Sequence, residues 1–381
     1  MKFKNFICIL ILNCLMLILI QKNADHLFES LHEIIDYDKS VGVKFKCFKN
    51  ESKSEVIVKK YALMSTTLDD NTTFNIPLVI HAWRRLNIEP IVIIVMDDNK
   101  FKYNENSSSG QILKYLNYSN IQTLYIKADA NFSIVTAQVI RLFIGIFPDH
   151  IIKDDDFVMT TDSDLAPLNP TYYNVSIDCL DTTITVWNAF CCGKFKHLNR
   201  KSLRMFPMGH IGMTKKNWRN AVELNETNFK LDGDSVLKWL LGIYGKDFKQ
   251  AENKREPSWY ADQRLVSYFI QKYAQTKKVA LDLRPFTGER LARTTNEEEW
   301  NKKLDEHDLL TDAHLYQTQC ELFIRLFEHL LLKFFNKEIG LVEFYKKLFF
   351  KYWNFKRNRL IETKKEINSR ILFKIIKKIT M

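Results

Sequence analysis

The chain has 381 residues, of which 46% are hydrophobic and 13% aromatic, and its formal charge is +11. This apolar content excludes a disordered chain, and seven cysteines in 381 residues exclude a disulfide-held scaffold. Residues 1–20 carry +2 and residues 331–381 carry +10, so the remaining 310 residues carry −1. Because the body is nearly neutral, we expect no nucleic-acid partner.

The N-terminal segment predicts a membrane anchor. Residues 6–20 form an uncharged apolar run that follows Lys2 and Lys4. Such a run is typical of a signal peptide or a short signal anchor. No small-x-small cleavage site follows it, and basic residues ahead of the run favour a cytoplasmic N-terminus. We therefore expect an anchor over residues 1–22, a stem over residues 23–55 and a single-pass type II protein. Cleavage of the segment, with secretion, is the alternative.

Luminal exposure in the Golgi or endoplasmic reticulum is also predicted by the N-glycosylation sequons. Chance would give about three in a chain of this composition. The asparagines of the seven sequons present are Asn50, Asn71, Asn106, Asn117, Asn131, Asn174 and Asn225. Five cysteines follow the apolar run, and this number predicts one or two disulfides and a free thiol. The sequence does not show which cysteines pair.

The body alternates short apolar runs with amphipathic stretches from about residue 56. This alternation predicts an α/β fold with an open, mostly parallel sheet and helices on both faces, extending over residues 56–320. Ligands of such sheets bind at the carboxyl ends of the strands. The predicted elements are strands at 61–65, 91–96, 122–127 and 157–160, and helices at 73–86, 111–117 and 133–147.

Two aspartates follow the fourth predicted strand. Asp162 and Asp164 are separated by one small residue, so their carboxylates can converge on one position where the chain leaves the strand. Two close carboxylates repel unless a cation or a proton neutralises them, and oxygen ligands suit magnesium or manganese. The acidic run at 154–156 precedes the strand, and we expect it to be a solvated turn.

These features resemble the type A glycosyltransferases, which are metal-dependent nucleotide-sugar enzymes that include the glycogenin-like transferases. The resemblance covers residues 58–320. The stretches that carry it are YALMSTTLDD (61–70), TAQVIRL (136–142), FVMTTDSDLAPL (157–168), PMGHIGM (207–213) and WYADQRLV (259–266).

The resemblance implies a role for each matching residue. Asp162 and Asp164 would hold a divalent metal, manganese or magnesium, together with the diphosphate of a nucleotide-sugar donor. The strand that contains His210 would face donor and acceptor. The remaining implied positions are Thr66 and Asp69 near the nucleoside, Arg141 near the nucleotide, Asp262 and Gln263 at the transferred sugar, and His314 as a third metal ligand.

Several of these residues also have structural interpretations. Asp262 could cap the helix that starts near residue 260, and His314 lies between apolar residues as a structural histidine would. Leu315, Tyr316 and Gln317 replace the Gly and Lys that usually follow the third ligand. The Asp-Gly-Asp at 232–234 heads a helical stretch, and we interpret it as a cap.

The sequence therefore predicts transfer of a sugar, from a UDP-sugar in the favoured interpretation, to a glycan or glycoprotein acceptor in the secretory pathway. The resemblance of the Asp-Gln segment to the glycogenin-like enzymes implies retention of configuration. Two alternatives stay open: a metal-dependent phosphohydrolase that uses the paired aspartates, and a non-catalytic membrane-tethered protein with a degenerate transferase fold.

The C-terminal tail, residues 321–381, is rich in Leu, Phe and Lys. Charged residues interrupt every apolar stretch that would be long enough to span a membrane, which argues against a second transmembrane helix. The pattern predicts a basic amphipathic helix that packs against its own domain, or alternatively contacts an anionic membrane surface.

Overall fold

The computed structural model describes residues 58–97, 105–196, 202–224, 227–251, 256–277, 279–292, 297–315 and 321–350. These residues belong to the unit Lys49–Met381. The predicted anchor and stem lie outside the described residues. Within the described part of the chain, no helix is both long enough and apolar enough to cross a membrane.

The strands of the described residues follow one another as short segments of three to nine residues. In chain order they are β1 Lys60–Thr67, β2 Glu89–Asp97, β3 Gln122–Ala128, β4 Phe157–Thr161, β5 Leu165–Pro167, β6 Thr183–Trp187, β7 Lys194–Lys196, β8 Ser202–Arg204, β9 Ile211–Thr214, β10 Ala280–Arg284, β11 Glu289–Leu291 and β12 Leu310–His314.

The α-helices pack around these strands. They are α1 Ile76–Arg84, α2 Ser108–Tyr118, α3 Ser133–Val139, α4 Lys215–Val222, α5 Gly233–Tyr244, α6 Ala261–Lys277, α7 Glu297–Asp305 and α8 Glu321–Phe334. A further helix, α9, begins at residue 339 and continues to residue 350, where the described residues end.

The central sheet has seven strands in the order β10-β6-β9-β4-β1-β2-β3. β9 is antiparallel to both of its neighbours, and the other pairings are parallel. The mixed α/β fold with a mostly parallel sheet is therefore as predicted. The strand order runs outward from β1 in both directions, so the crossovers reverse between β1 and β4. Such a switch point opens a crevice at the carboxyl ends of the two strands.

The two faces of the sheet are covered by separate apolar layers. Val92, Ile94 and Met96 of β2 point into one layer, and the alternating residues Ile91 and Ile93 point into the other. Alternate side chains of a strand lie on opposite faces, so an uninterrupted apolar strand requires cover on both sides. The central sheet therefore lies between two apolar layers.

A small second sheet lies next to the carboxyl end of β4. β5 pairs with β12 in antiparallel register, and β11 pairs with β12 in parallel. His314 is the Cα partner of Leu165, and Ala313 is the partner of Ala166. This pairing brings the end of β12 to the residues that follow β4.

The described part of the tail packs onto the main domain. Phe327 of α8 and Tyr345 of α9 are fully buried in the same apolar layer as α1. The Tyr345 hydroxyl donates to the Phe74 carbonyl at 2.9 Å and accepts from the Leu78 N–H at 3.1 Å. Residues 321–350 are thus part of the domain core, whereas the sequence placed the boundary at residue 320. Membrane contact by the remainder of the tail stays a prediction.

The helix predicted over 133–147 is present, but it is α-helical only to Val139 and continues as the 3-10 segment Ile140–Ile146. Another local prediction was wrong. Asp156 is buried rather than solvated, because its carboxylate accepts from the backbone N–H groups of Lys59 and Lys153 at 3.1 and 2.8 Å. An acidic run before a strand can therefore cap neighbouring backbone.

The predicted cap at the start of α5 is confirmed, since the Asp232 carboxylate accepts from the Ser235 N–H at 2.8 Å.

The sequon asparagines differ in exposure. Asn71 is half-buried, and Asn50 and Asn225 lie outside the described residues. Glycosylation stays a prediction at all of them, and the exposed ones are Asn106, Asn117, Asn131 and Asn174.

Candidate active site

A cavity of about 440 Å³ opens at the switch point between β1 and β4. It is bordered by the carboxyl ends of β1, β4 and β12, by α3 and by the start of α6. Most of the residues singled out from the sequence converge at this cavity. The predicted site residues that line it are Thr66, Arg141, Asp162, Asp164, Asp262, Gln263 and His314.

Arg141 connects two distant carboxylates at this cavity. Its guanidinium donates to Asp162 Oδ1 at 2.6 Å and to the Thr161 carbonyl at 2.9 Å. A second nitrogen donates to Asp262 Oδ2 at 3.0 Å. The side chains of Arg141 and Asp262 are each 6% exposed, whereas that of Asp162 is 41% exposed. One buried cation is therefore shared by two carboxylates, which leaves a net charge of −1 beside the cavity.

The two carboxylates differ in acidity because their surroundings differ. Burial raises the pKa of Asp262 to about 6, although Arg141 and the Gln263 N–H act in the opposite direction. For Asp162, burial also opposes ionisation, but the charge and hydrogen bond of Arg141 hold its pKa below the usual range. Asp162 is thus the ionised partner, and Asp262 titrates in the mildly acidic range.

Asp262 should make stability fall as pH rises from about 4 to about 6. Its pKa is higher in the folded protein than the ordinary 3.8, so the folded state binds the extra proton in this window. The difference of roughly 2 pH units corresponds to about 3 kcal/mol, fully present below pH 4 and lost above pH 6. Urea unfolding at pH 4 and pH 7 measures this loss. The free energy of unfolding of Asp262→Asn, relative to that of the wild type, should be about 3 kcal/mol higher at pH 7 than at pH 4.

The exposed Asp247 provides a matched control, since Asp247→Asn removes an aspartate that does not line the cavity. Its stability relative to the wild type should change little with pH. A difference between Asp262→Asn and wild type that is constant from pH 4 to pH 7 would contradict the assignment.

The pairing of β5 with β12 brings His314 to Asp164. His314 Nε2 lies 3.5 Å from Asp164 Oδ1, and the Leu315 N–H donates to the Asp164 carbonyl at 2.7 Å. Across from them, Gly209 makes room for the other aspartate. A Cβ at residue 209 would lie 2.6 Å from Asp162 Oδ2, so a larger residue would displace that carboxylate.

The donor types at this edge match those that manganese or magnesium uses. Two carboxylates and an imidazole are suitable ligands. Because Gly209 has no side chain, Asp162 Oδ2 has room beside the cavity. As the side chains stand, no three His, Cys, Asp or Glu residues in the described ranges surround a metal-sized position. The types of donor group, and not the present positions of the side chains, therefore fit a metal.

His210 is buried behind the cavity rather than lining it. Its Nε2 lies 3.1 Å from the Tyr173 hydroxyl, which donates to Asp312 Oδ2 at 3.1 Å. Arg290 in turn donates to both Asp312 oxygens at 2.6 and 2.7 Å. Burial lowers the pKa of His210 to about 4, so its ring is neutral near pH 7. The predicted direct contact of His210 with substrate remains a prediction.

Sequence reasoning missed the partners of His210. Asp312 stands two residues before His314 on β12, and it is fully buried. Burial of an ionised aspartate requires a cation, which Arg290 supplies. The acid in Thr311-Asp312-Ala313 was a usable signal, but no local feature of the sequence pointed to Arg290 or to Tyr173.

The loop after β1 divides into a cavity-facing part and a structural part. Thr66 lines the cavity, whereas Asp69 does not. The Asp69 carboxylate accepts from the N–H groups of Asn71 and Thr72 at 2.9 and 3.0 Å and from the hydroxyls of Thr67 and Thr72 at 2.8 and 2.6 Å. Asp69 therefore shapes the loop, and its contact with a nucleoside stays a prediction. Other lining residues that the sequence did not single out are Asn71, Thr72, Asn75, Trp259 and Tyr260.

A larger concavity of about 1030 Å³ lies at the opposite end of the sheet. It is lined by residues at the amino ends of β1, β2 and β3, including Lys59, Glu89 and Gln122. Ligands of open parallel sheets bind at the carboxyl ends, and the shared-cation arrangement lies there as well. The smaller cavity is therefore the candidate active site.

No protein-family model matches the chain, and no curated protein matches it. Solved structures of glycosyltransferases are similar to this chain at low identity. The bifunctional glycosyltransferase WbbM is 12% identical over 73% of this chain and 51% of its own, with a TM-score of 0.37. The glycosyltransferase GlyE of Streptococcus pneumoniae TIGR4 is 13% identical over 76% of this chain and 64% of its own, with a TM-score of 0.37.

The galactosyltransferase LgtC, solved in complex with donor and acceptor sugar analogs, is 12% identical over 70% of this chain and 94% of its own, with a TM-score of 0.37. The present chain thus spans about half of WbbM and less than two thirds of GlyE. These proteins belong to the enzyme class that the sequence predicts. A likeness at this TM-score does not define a function, and the functional assignment depends instead on the residues of the cavity.

Proposed function

We propose that this protein is a glycosyltransferase of the type A fold that takes a nucleotide-diphosphate sugar, a UDP-sugar, as its donor. The observation that supports it best is the set of three side chains at the switch point. Arg141 holds Asp162 and Asp262 together at the edge of the cavity where Asp164 and His314 also meet. This arrangement offers separate positions for a diphosphate and for the sugar attached to it.

Asp162, Asp164 and His314 would hold a manganese or magnesium ion. When bound, the ion supplies Lewis-acid stabilisation of the negative charge on the departing diphosphate. Arg141 prepares this edge, because its charge keeps Asp162 ionised in a partly buried position. The net negative charge of this edge favours a divalent cation, which would in turn offset the charge of an anionic leaving group.

The chain's own residues would position the rest of the donor. Thr66 and Thr72 place uncharged hydrogen-bonding groups on the wall that follows β1, where a nucleoside can bind. Asp262 and Gln263 lie at the start of α6, where their polar groups can contact sugar hydroxyls. The cavity would hold the reacting groups close to one another. The Asp262–Gln263 pair leads us to propose retention of configuration.

Isothermal calorimetry of the full chain with UDP, in the presence and absence of manganese, tests the proposal. We expect the wild type to bind UDP only when manganese is present. Asp164→Ala removes one proposed ligand and should weaken that binding by at least about tenfold, equivalent to about 1.4 kcal/mol. Asp247→Ala is the control, because it removes an exposed carboxylate outside the cavity and should leave binding unchanged.

Two outcomes would contradict the proposal. One is a wild-type chain that binds neither UDP nor GDP with manganese. The other is an Asp164→Ala variant with the wild-type manganese dependence. Turnover of p-nitrophenyl phosphate without nucleotide binding would favour the phosphohydrolase alternative instead.

A further inference from the structure

Two aromatic side chains line the cavity without packing on another aromatic ring of the described residues. Trp259 and Tyr260 end the 3-10 segment Pro257–Tyr260, directly before α6. Both are half-buried. Elsewhere in the domain, large aromatic residues pack against one another, as Trp239 does on Phe269 at a centroid distance of 5.7 Å.

Among the residues that the structure describes, no aromatic ring packs on Trp259 or Tyr260. Nor does the indole N–H or the phenol O–H bond to a group within these ranges. Aromatic rings at a cavity wall offer a large apolar face, and each of these rings also keeps a polar group at its edge. Such a wall is suited to a ligand with an apolar face and a polar rim.

The surroundings of these rings distinguish between two kinds of ligand. Asp262 and Gln263 follow after Ala261 and line the same cavity. Ile134 on α3 is 40% exposed, and it adds a further apolar group to the cavity wall. A pyranose ring has one face of C–H groups, which would bind to this apolar wall. The wall stands beside Asp262 and Gln263, which would contact the transferred sugar, so a saccharide on it would lie next to that sugar.

A nucleobase could also stack on an aromatic ring, but the polar wall after β1 suits a base better. Asn71, Thr72 and Thr66 offer uncharged donors and acceptors there. That wall belongs to β1 and its loop, whereas the aromatic pair belongs to the start of α6. We therefore propose that Trp259 and Tyr260 form a saccharide-binding platform for the acceptor of the reaction.

This inference rests on the proposed function, because an acceptor has meaning only for a transferase. Saturation-transfer-difference NMR on the full chain loaded with UDP and manganese tests it. The probes are methyl β-D-galactopyranoside, methyl β-D-glucopyranoside and methyl β-D-xylopyranoside. We expect at least one of them to receive saturation at its C–H face protons.

Trp259→Ala should weaken saccharide binding by about five- to tenfold, because it removes the larger apolar face. Trp259→Phe should retain most of the binding, and Tyr260→Leu should lose part of it. Tyr118→Ala is the matched control, because Tyr118 is an aromatic residue that is 90% exposed and does not line the cavity. That control should match the wild type.

Three results would overturn the platform: no probe binds to the wild type, Trp259→Ala binds saccharide as well as the wild type, or Trp259→Ala loses UDP while its saccharide signal is unchanged. The last result would assign the rings to the nucleobase. Failure of the proposed function is seen separately, in the calorimetric titration of UDP on the wild type.

Discussion

Arg141→Met is expected to lower the free energy of unfolding by about 3–5 kcal/mol, because it leaves a buried carboxylate without its cation. The estimate depends on Asp262, whose side chain is 6% exposed and bonded to Arg141 at 3.0 Å. The contact with Asp162 adds less, since that side chain is 41% exposed and solvent screens it. Urea unfolding at pH 8, where Asp262 is ionised in the wild type, measures the full effect.

Two further variants separate charge from geometry at this position. Arg141→Lys keeps the charge but loses the planar fork that reaches both carboxylates, so it should fall between the wild type and Arg141→Met. The double variant Arg141→Met/Asp262→Asn removes the unpaired carboxylate as well and should recover part of the stability. Equal stability of Arg141→Met and wild type at pH 8 would contradict the shared-cation arrangement.

Deletion of residues 321–381 is expected to prevent stable folding. The deleted segment includes side chains of α8, of α9 and of the turn between them that are at most 2% exposed and belong to the apolar layer against α1. Each such side chain contributes about 1.5–3 kcal/mol, so several together match the total stability of about 5–15 kcal/mol of an ordinary domain. Soluble yield and a cooperative thermal transition measure the effect. The residues concerned are Leu326, Phe327, Leu330, Leu331, Phe335, Leu341 and Tyr345.

Deletion of residues 351–381 is the matched control. It keeps Tyr345, whose hydroxyl bonds to α1 and to the loop before it, and it keeps the rings of Phe327 and Phe349 that pack on Phe74. The shorter deletion should give soluble, cooperatively folding protein. If deletion of 321–381 gave a domain as stable as this control, the assignment of the tail to the core would be wrong.

The strands of the sheet could be predicted because their physical signal is local. The run from Ile91 to Met96 has no polar interruption, which requires cover on both faces, and the structure places it between two apolar layers. The chain order of strands and helices then determined that their carboxyl ends meet. Asp162 and Asp164 were found for the same reason, since they follow the end of a strand. Asp262 was identified through the resemblance of its Asp-Gln segment to the type A glycosyltransferases.

What the sequence could not provide was the pairing between distant elements. Nothing near Arg141 indicates that one guanidinium bonds to both Asp162 and Asp262, which are 100 residues apart. The pairing of Asp312 with Arg290 is equally invisible, because an ion pair depends on tertiary placement rather than on spacing along the chain. The sequence favoured packing of the tail helix on its own domain, but it could not identify α1 and Phe74 as the partners, because amphipathicity does not show which residues cover an apolar face.

The pairing of β5 with β12 determines when the cavity can become complete. It joins Asp164 to His314, which are separated by 150 positions, so most of the domain must be synthesised before these side chains can meet. Contacts of such long separation form late, because the chain must first lose the entropy of a large loop. A nascent chain that ends before β12 therefore carries both aspartates of the Asp162–Asp164 pair without the histidine beside them. Ligand binding at this edge would then be a property of the finished domain and would report on its correct folding.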